Sequence, residues 1–136
     1  MPMTSICRHL PSLALLALAG CGAGLFAAAF DPVEYGHVVD ARLWVQRTAT
    51  ACGDPAAARP ASQKALDAAS AGLLYARGIP DDGSIADALG VADGLLGELV
   101  ARLAGDYSPA YCLTKATEID RALSGLQTTM GKERRP

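Results

Sequence analysis

Ser84-Ile-Ala-Asp-Ala-Leu-Gly-Val-Ala-Asp-Gly-Leu-Leu-Gly-Glu-Leu-Val-Ala-Arg-Leu-Ala-Gly105 carries the clearest periodicity in the chain. Ile85, Leu89, Ala92, Leu96, Leu99 and Leu103 recur every three or four residues, which stacks them on one side of an α-helix. A half-buried strand would alternate every second residue, and this segment does not. Ser84 with Asp87 reads as the cap that opens the helix, and Gly105 as the residue that closes it.

The flanking sequence repeats the pattern. Gly78 ends a preceding helix and Ile79-Pro80-Asp81-Asp82-Gly83 forms a tight turn. That preceding helix carries Leu66, Ala69, Leu73 and Ala76 in register, and a linker rich in Pro and Ala, residues 54–60, leads into it. Further upstream, Asp31-Pro32-Val33-Glu34 combines an N-cap, a first-turn proline and a following acid. The helix it opens places Val38, Ala41, Val45, Ala49 and Cys52 on one face and stops at Gly53. Downstream, Ser108-Pro109 opens a fourth helix with Cys112, Ala116, Ile119, Leu123, Leu126 and Met130 at heptad spacing. Residues 131–136 read as a polar, disordered tail, solvated or touching anionic headgroups or peptidoglycan. Abundant alanine and an aromatic content of 5% suit slender, closely packed helices. The expectation is an all-α domain over residues 31–130, a small up-down-up-down four-helix bundle.

The N-terminus is of another kind. Met1 to His9 hold one fixed positive charge, Arg8, and Leu10 to Ala19 are apolar apart from Pro11 and Ser12. That is the length of a signal h-region and well short of the ~20 apolar residues that span a bilayer. Leu18-Ala19-Gly20-Cys21 follows, with small residues where a peptidase must approach the backbone. This resembles the lipobox of bacterial lipoproteins. The resemblance implies that residues 1–20 are a cleaved signal peptide and that Cys21 is lipidated, anchoring the chain to the membrane. Two or three acyl chains hold a protein there stably where one does not. Gly22 in place of Asp implies sorting to the outer membrane, facing the periplasm. The competing readings are an uncleaved helix from Leu10 through Phe30, disfavoured by Gly20, Gly22 and Gly24, and an ordinary signal cleaved at an A-x-A-like site.

If Cys7 leaves with the signal and Cys21 carries lipid, two of the four cysteines remain. In an oxidising periplasm Cys52 and Cys112 are expected to pair. A loop of about 60 residues closed in this way stabilises by roughly 4 kcal/mol in the chain-entropy model. Metal binding is the rival, but C-x-x-C spacing and nearby histidines are both missing. Cys52 ends the first helix and Cys112 begins the fourth, and an up-down-up-down bundle puts those two places at the same end.

Residues 22–30 are an almost wholly apolar tether, expected to lie on the membrane or the domain. Phe30-Asp-Pro-Val-Glu-Tyr35, before a helix that ends in cysteine, resembles small lipoproteins of bacteria and their phages. One role this resemblance implies is superinfection exclusion, in which an envelope receptor is bound so that a second phage or plasmid cannot enter.

Chemistry-bearing motifs are sparse. Glu34-x-x-His37 matches half of a di-iron pair, yet such sites need two pairs and further carboxylates, and His37 is the only histidine after residue 20. His37 is expected to be a surface or cap residue. No G-x-S-x-G is present, and Ser62, Ser70, Ser84, Ser108 and Ser124 read as caps or helix surface. The carboxylate pairs Asp81/Asp82 and Glu34/Asp40 resemble turn and helix-face residues, and Gly22-x-Gly24 is followed by no strand–helix unit. A net charge of −2 disfavours non-specific nucleic-acid binding. No enzyme activity, cofactor, metal or small-molecule substrate is expected.

One feature stands apart. Gly90, Gly94, Gly97 and Ala101 form a second stripe on the third helix, nearly opposite the leucines. Each interior Gly costs roughly 0.8–1 kcal/mol relative to Ala. Either a partner protein or second copy approaches this face, or the helix is central and packs on both sides, or the glycines are tolerated drift. Trp44, beside Leu43, joins either that surface or the core. The functional expectation is a membrane-anchored, non-catalytic binding protein, with two alternatives: an assembly subunit of an envelope complex, or an inhibitor of a periplasmic enzyme.

Overall fold

Four helices account for all the regular structure of the computed structural model, which describes residues 30–133. They are α1 (Pro32–Ala51), α2 (Pro55–Arg77), α3 (Gly83–Ala104) and α4 (Pro109–Glu133). The expected signal peptide, Cys21, and residues 22–29 of the tether lie outside the described residues, as do residues 134–136.

Local chemistry sets where each helix begins. Asp31 is extended, and its carboxylate accepts the N–H groups of Val33 (2.7 Å) and Glu34 (3.1 Å), while Pro32 occupies the first helical position. Asp54 repeats the device for α2, accepting from the N–H of Ala56 at 2.9 Å. That start corrects the expected linker over residues 54–60. Pro55 supplies a first-turn φ, and Pro60 is carried inside the helix at the loss of one backbone bond. Ala56, Ala57 and Ala58 have the highest helix propensity. Burial of Ala58 and Ala61, and a 2.6 Å hydrogen bond from Arg59 Nε to the Leu103 carbonyl, hold the turn in place.

The start of α3 also differs from expectation. Asp81 adopts a left-handed conformation (φ 73°), and the backbone carbonyl of Asp82 accepts the N–H groups of Ile85 (3.1 Å) and Ala86 (2.9 Å). The cap position is therefore Asp82, two residues before Ser84, and its side chain makes no cap bond. At α4 the expectation holds: Ser108 Oγ accepts the N–H of Tyr111 at 3.3 Å, ahead of Pro109. The helix then continues through Glu133, so residues 131–133 belong to it and not to a tail.

All six residues of the α3 stripe are buried, and four of them (Leu89, Leu96, Leu99 and Leu103) are at most 1% exposed. Burying such a side chain contributes roughly 1.5–3 kcal/mol. Opposite them α2 presents Ala58, Ala65, Ala69 and Ala76, small residues that let the helix axes approach. Val38 and Val45 of α1 with Ile119 and Leu123 of α4 complete the core. α1 packs on α2 and α4, and α3 packs on the same two; no contact joins α1 to α3 or α2 to α4 among the described residues.

Cross-helix bonds identify which ends meet. The end of α1 meets the start of α4 at Cys52 and Cys112, and Tyr107 donates to the Cys52 carbonyl at 2.6 Å. The start of α2 meets the end of α3 through Arg59 and Leu103. At the opposite end, Tyr75 near the end of α2 donates to Asp31 at 3.0 Å. No described helix is long and apolar enough to cross a membrane.

Candidate partner surface

Cys52 and Cys112 form a disulfide, with Cα atoms 5.7 Å apart and a sequence separation of 60. Cys52 is 4% exposed and Cys112 wholly buried, so the bridge belongs to the core. Cys21, the expected lipid site, is outside the described residues.

The stripe Gly90, Gly94, Gly97 and Ala101 falls on the side of α3 that turns away from the leucine core. Gly94 and Ala101 are exposed, and Gly90 and Gly97 half-buried. Among the described residues, a Cβ placed on Gly94 or Gly97 would meet nothing within 4 Å, and one on Gly90 would meet only Leu73 Cδ1 at an ordinary 3.9 Å. Packing of α3 on two sides therefore does not account for these glycines. Two large apolar side chains of α3 and α2 are also exposed: Val91, next in sequence to Gly90, at 64%, and Leu74, next in sequence to Leu73, at 70%.

A glycine with a packing role lies elsewhere. Gly72 on α2 is buried, and a Cβ there would come within 2.9 Å of the His37 Cβ. His37 is thus half-buried between α1 and α2, its ring 5.9 Å from that of Tyr75, and is neither a cap nor a free surface residue. Gly72 stands at helical spacing from Ala69 and Ala76, but a period does not say which residue of another helix packs on it.

Around His37 the end of the bundle gathers acids. Glu34 and Asp82 are 1% and 3% exposed. The Glu34 and Val33 N–H groups and the Tyr75 hydroxyl hold the Asp31 carboxyl below the usual range, against a smaller upward effect of burial. Burial pushes Asp82 up, and the charges of Asp31 and Asp81 push it further. Asp82 Oδ2 has no hydrogen-bond partner among the described residues. Among the described residues no three His, Cys, Asp or Glu side chains are placed to hold a metal ion.

The interface of α1 with α4 carries polar bonds that the stripes did not announce. Arg42 Nε donates to Asp120 Oδ1 at 2.9 Å, and its Nη1 donates to Gln127 Oε1, also at 2.9 Å. Gln127 in turn donates to the Tyr35 hydroxyl at 3.1 Å. Of the serines, Ser62 is buried and donates to the Arg59 carbonyl at 2.9 Å, while Ser70 pairs with Asp93 across α2 and α3.

Trp44 is half-buried at the edge of α1 facing α2, with Arg47 Cζ and Lys64 Nζ each 4.3 Å from its ring centre. It packs against the core from its edge and does not join the glycine surface. No protein-family model matches this chain, and no curated protein and no solved structure shows a detectable match to it.

Proposed function

We propose that the chain is a lipid-anchored, non-catalytic binding protein of the bacterial envelope, a four-helix up-down-up-down bundle that presents the glycine face of α3 to a protein partner. Residues 1–20 act as its signal peptide and Cys21 as its lipidation site, placing the domain in the periplasm on the inner leaflet of the outer membrane. The observation that carries the binding surface is the empty space over Gly94 and Gly97. Glycines that meet nothing among the described residues still cost helix stability, roughly 0.8–1 kcal/mol each. A close-approaching partner backbone accounts for that cost.

Superinfection exclusion through an envelope receptor is the first role we infer, from the resemblance of residues 30–35 to small lipoproteins of bacteria and their phages; an assembly subunit of an envelope complex and an inhibitor of a periplasmic enzyme are the alternatives. Affinity capture of the anchored protein, compared with its Gly94→Leu variant, tests the surface. A partner lost in the variant supports it, and an unchanged partner set removes it. For the anchor, Cys21→Ala should abolish acyl labelling and release the chain from membranes; labelling that persists would contradict it. Neighbouring prophage genes would favour exclusion, and envelope-assembly genes the structural role.

A further inference from the structure

Trp44 is the only tryptophan in the chain, and two cations share its ring. One cation over an aromatic ring is common enough, at about one case per 70–80 residues. Two at one indole bring like charges together: Arg47 Cζ and Lys64 Nζ lie at most 8.6 Å apart, twice the 4.3 Å each keeps from the shared centre. Neither is paired with a carboxylate among the described residues, where the ion pairs are Arg42–Asp120 and Lys115–Glu118. The acids nearest in sequence do not compensate: Asp67 accepts instead from Gln63 at 2.9 Å, and Asp40 pairs with neither cation.

The ring fixes the position of the guanidinium and the ammonium while their remaining N–H groups stay free to donate. Each cation can donate a charge-assisted hydrogen bond of about 2.8 Å to a phosphate oxygen. The adjoining surface is apolar. Leu43, 42% exposed, lines a shallow depression on α1 with Gln46, Arg47, Thr50 and Ala51. A cationic pair, an indole and an exposed leucine side by side match the layering of a bilayer surface, with phosphate outermost, then the interfacial zone, then acyl chain.

We propose that Leu43, Trp44, Arg47 and Lys64 form a docking surface for the phosphate headgroups of an anionic bilayer. This contact does not depend on the Cys21 lipid, and it would lay the bundle on its α1–α2 edge, leaving the glycine face of α3 clear.

The single indole provides the readout. Full-length Cys21→Ala protein is mixed with vesicles of phosphatidylglycerol or of phosphatidylcholine, some carrying brominated acyl chains. Sedimentation alone would also report the apolar residues 10–30, whereas Trp44 emission reports only this patch. The expected result is a blue shift and bromine quenching with phosphatidylglycerol and neither with phosphatidylcholine. At about 1 kcal/mol per basic residue, Arg47→Gln with Lys64→Gln should weaken the partition roughly 30-fold, and Arg47→Lys should retain it. Equal quenching in neutral vesicles, or an unchanged double variant, overturns the proposal. So does a response to millimolar inorganic phosphate without any vesicle quenching, which would make this a site for a free anion. Because Cys21 is absent from this protein, failure here leaves the anchor reading standing, and failure of acyl labelling leaves this one standing.

Discussion

The two ends of the molecule hold together by different means. At one end the disulfide between Cys52 and Cys112 is buried, Tyr107 donates to the Cys52 carbonyl, and Arg59 ties the start of α2 to the last turn of α3. At the other, α1 and α2 meet through the Tyr75–Asp31 hydrogen bond and the packing of His37 on Gly72, with Glu34 and Asp82 buried nearby. One end is clamped by covalent bonding, and the other carries a buried carboxyl oxygen of Asp82 without a partner. The difference teaches that the clamp carries stability that the acidic end gives up.

The largest test of that contrast is to cut the clamp. Replacing Cys52 and Cys112 together by Ser should lower the unfolding free energy by about 4 kcal/mol, read from the midpoint of urea unfolding. A loss below about 1 kcal/mol would mean the hydrogen bonds of both ends suffice. At the acidic end, Asp82→Asn should raise stability at pH 7 on the order of 1 kcal/mol, since an isosteric amide replaces a buried carboxylate whose Oδ2 has no hydrogen-bond partner among the described residues. Asp31→Ala should do the reverse, costing about 0.5–2 kcal/mol through the lost cap. The same end should also unfold first, with hydrogen exchange in the turn before α3 faster in Asp31→Ala than in the native chain.

The two acids should respond to pH with opposite signs. The folded pKa of Asp82 is raised above 3.8, so the folded state binds the proton more tightly than the unfolded chain. Its contribution therefore improves as pH falls from 7 through that raised value. Asp31 is lowered below 3.8, so its contribution is intact above that pH and is lost as pH falls through the lowered value. Thermal midpoints should rise on mild acidification and drop in strong acid, and Asp82→Asn should remove the rise alone. A midpoint that falls steadily from pH 7 would show that Asp82 is solvated. The smallest effect belongs to neither end: Gly94→Ala, mid-helix and facing open space, should stabilise by about 0.8–1 kcal/mol. A loss of stability instead would show that the α3 glycines are packed after all.

Much of the helical architecture is legible in the residue order alone. The stripe of α3 predicts its six buried positions, because a 3.6-residue repeat leaves the chain no other way to hide its leucines. Asp31-Pro32 and Ser108-Pro109 announce helix starts through side-chain acceptors that work on local geometry alone. The Cys52–Cys112 pair is the one left if the lipobox resemblance accounts for Cys7 and Cys21, and the expected meeting of helix ends points to the same two residues, which form the disulfide. The misreadings arise where tertiary packing overrides local preference. Pro60 looks like a linker residue, but buried alanines and the Arg59 bond to Leu103 keep it helical. Ser84 looks like a cap, but the left-handed Asp81 moves the start of α3 to Gly83.

By itself, then, the sequence determined the number of helices, their buried faces and the cysteine pairing. These depend on spacing, and spacing is a property of the chain. Only the tertiary structure decided that His37 packs on Gly72, that Asp82 is buried without a partner for Oδ2, that Trp44 gathers two cations from two helices, and that the space above Gly94 is empty. Each of those depends on which residues distant in sequence become neighbours, a relation that no one-dimensional period encodes.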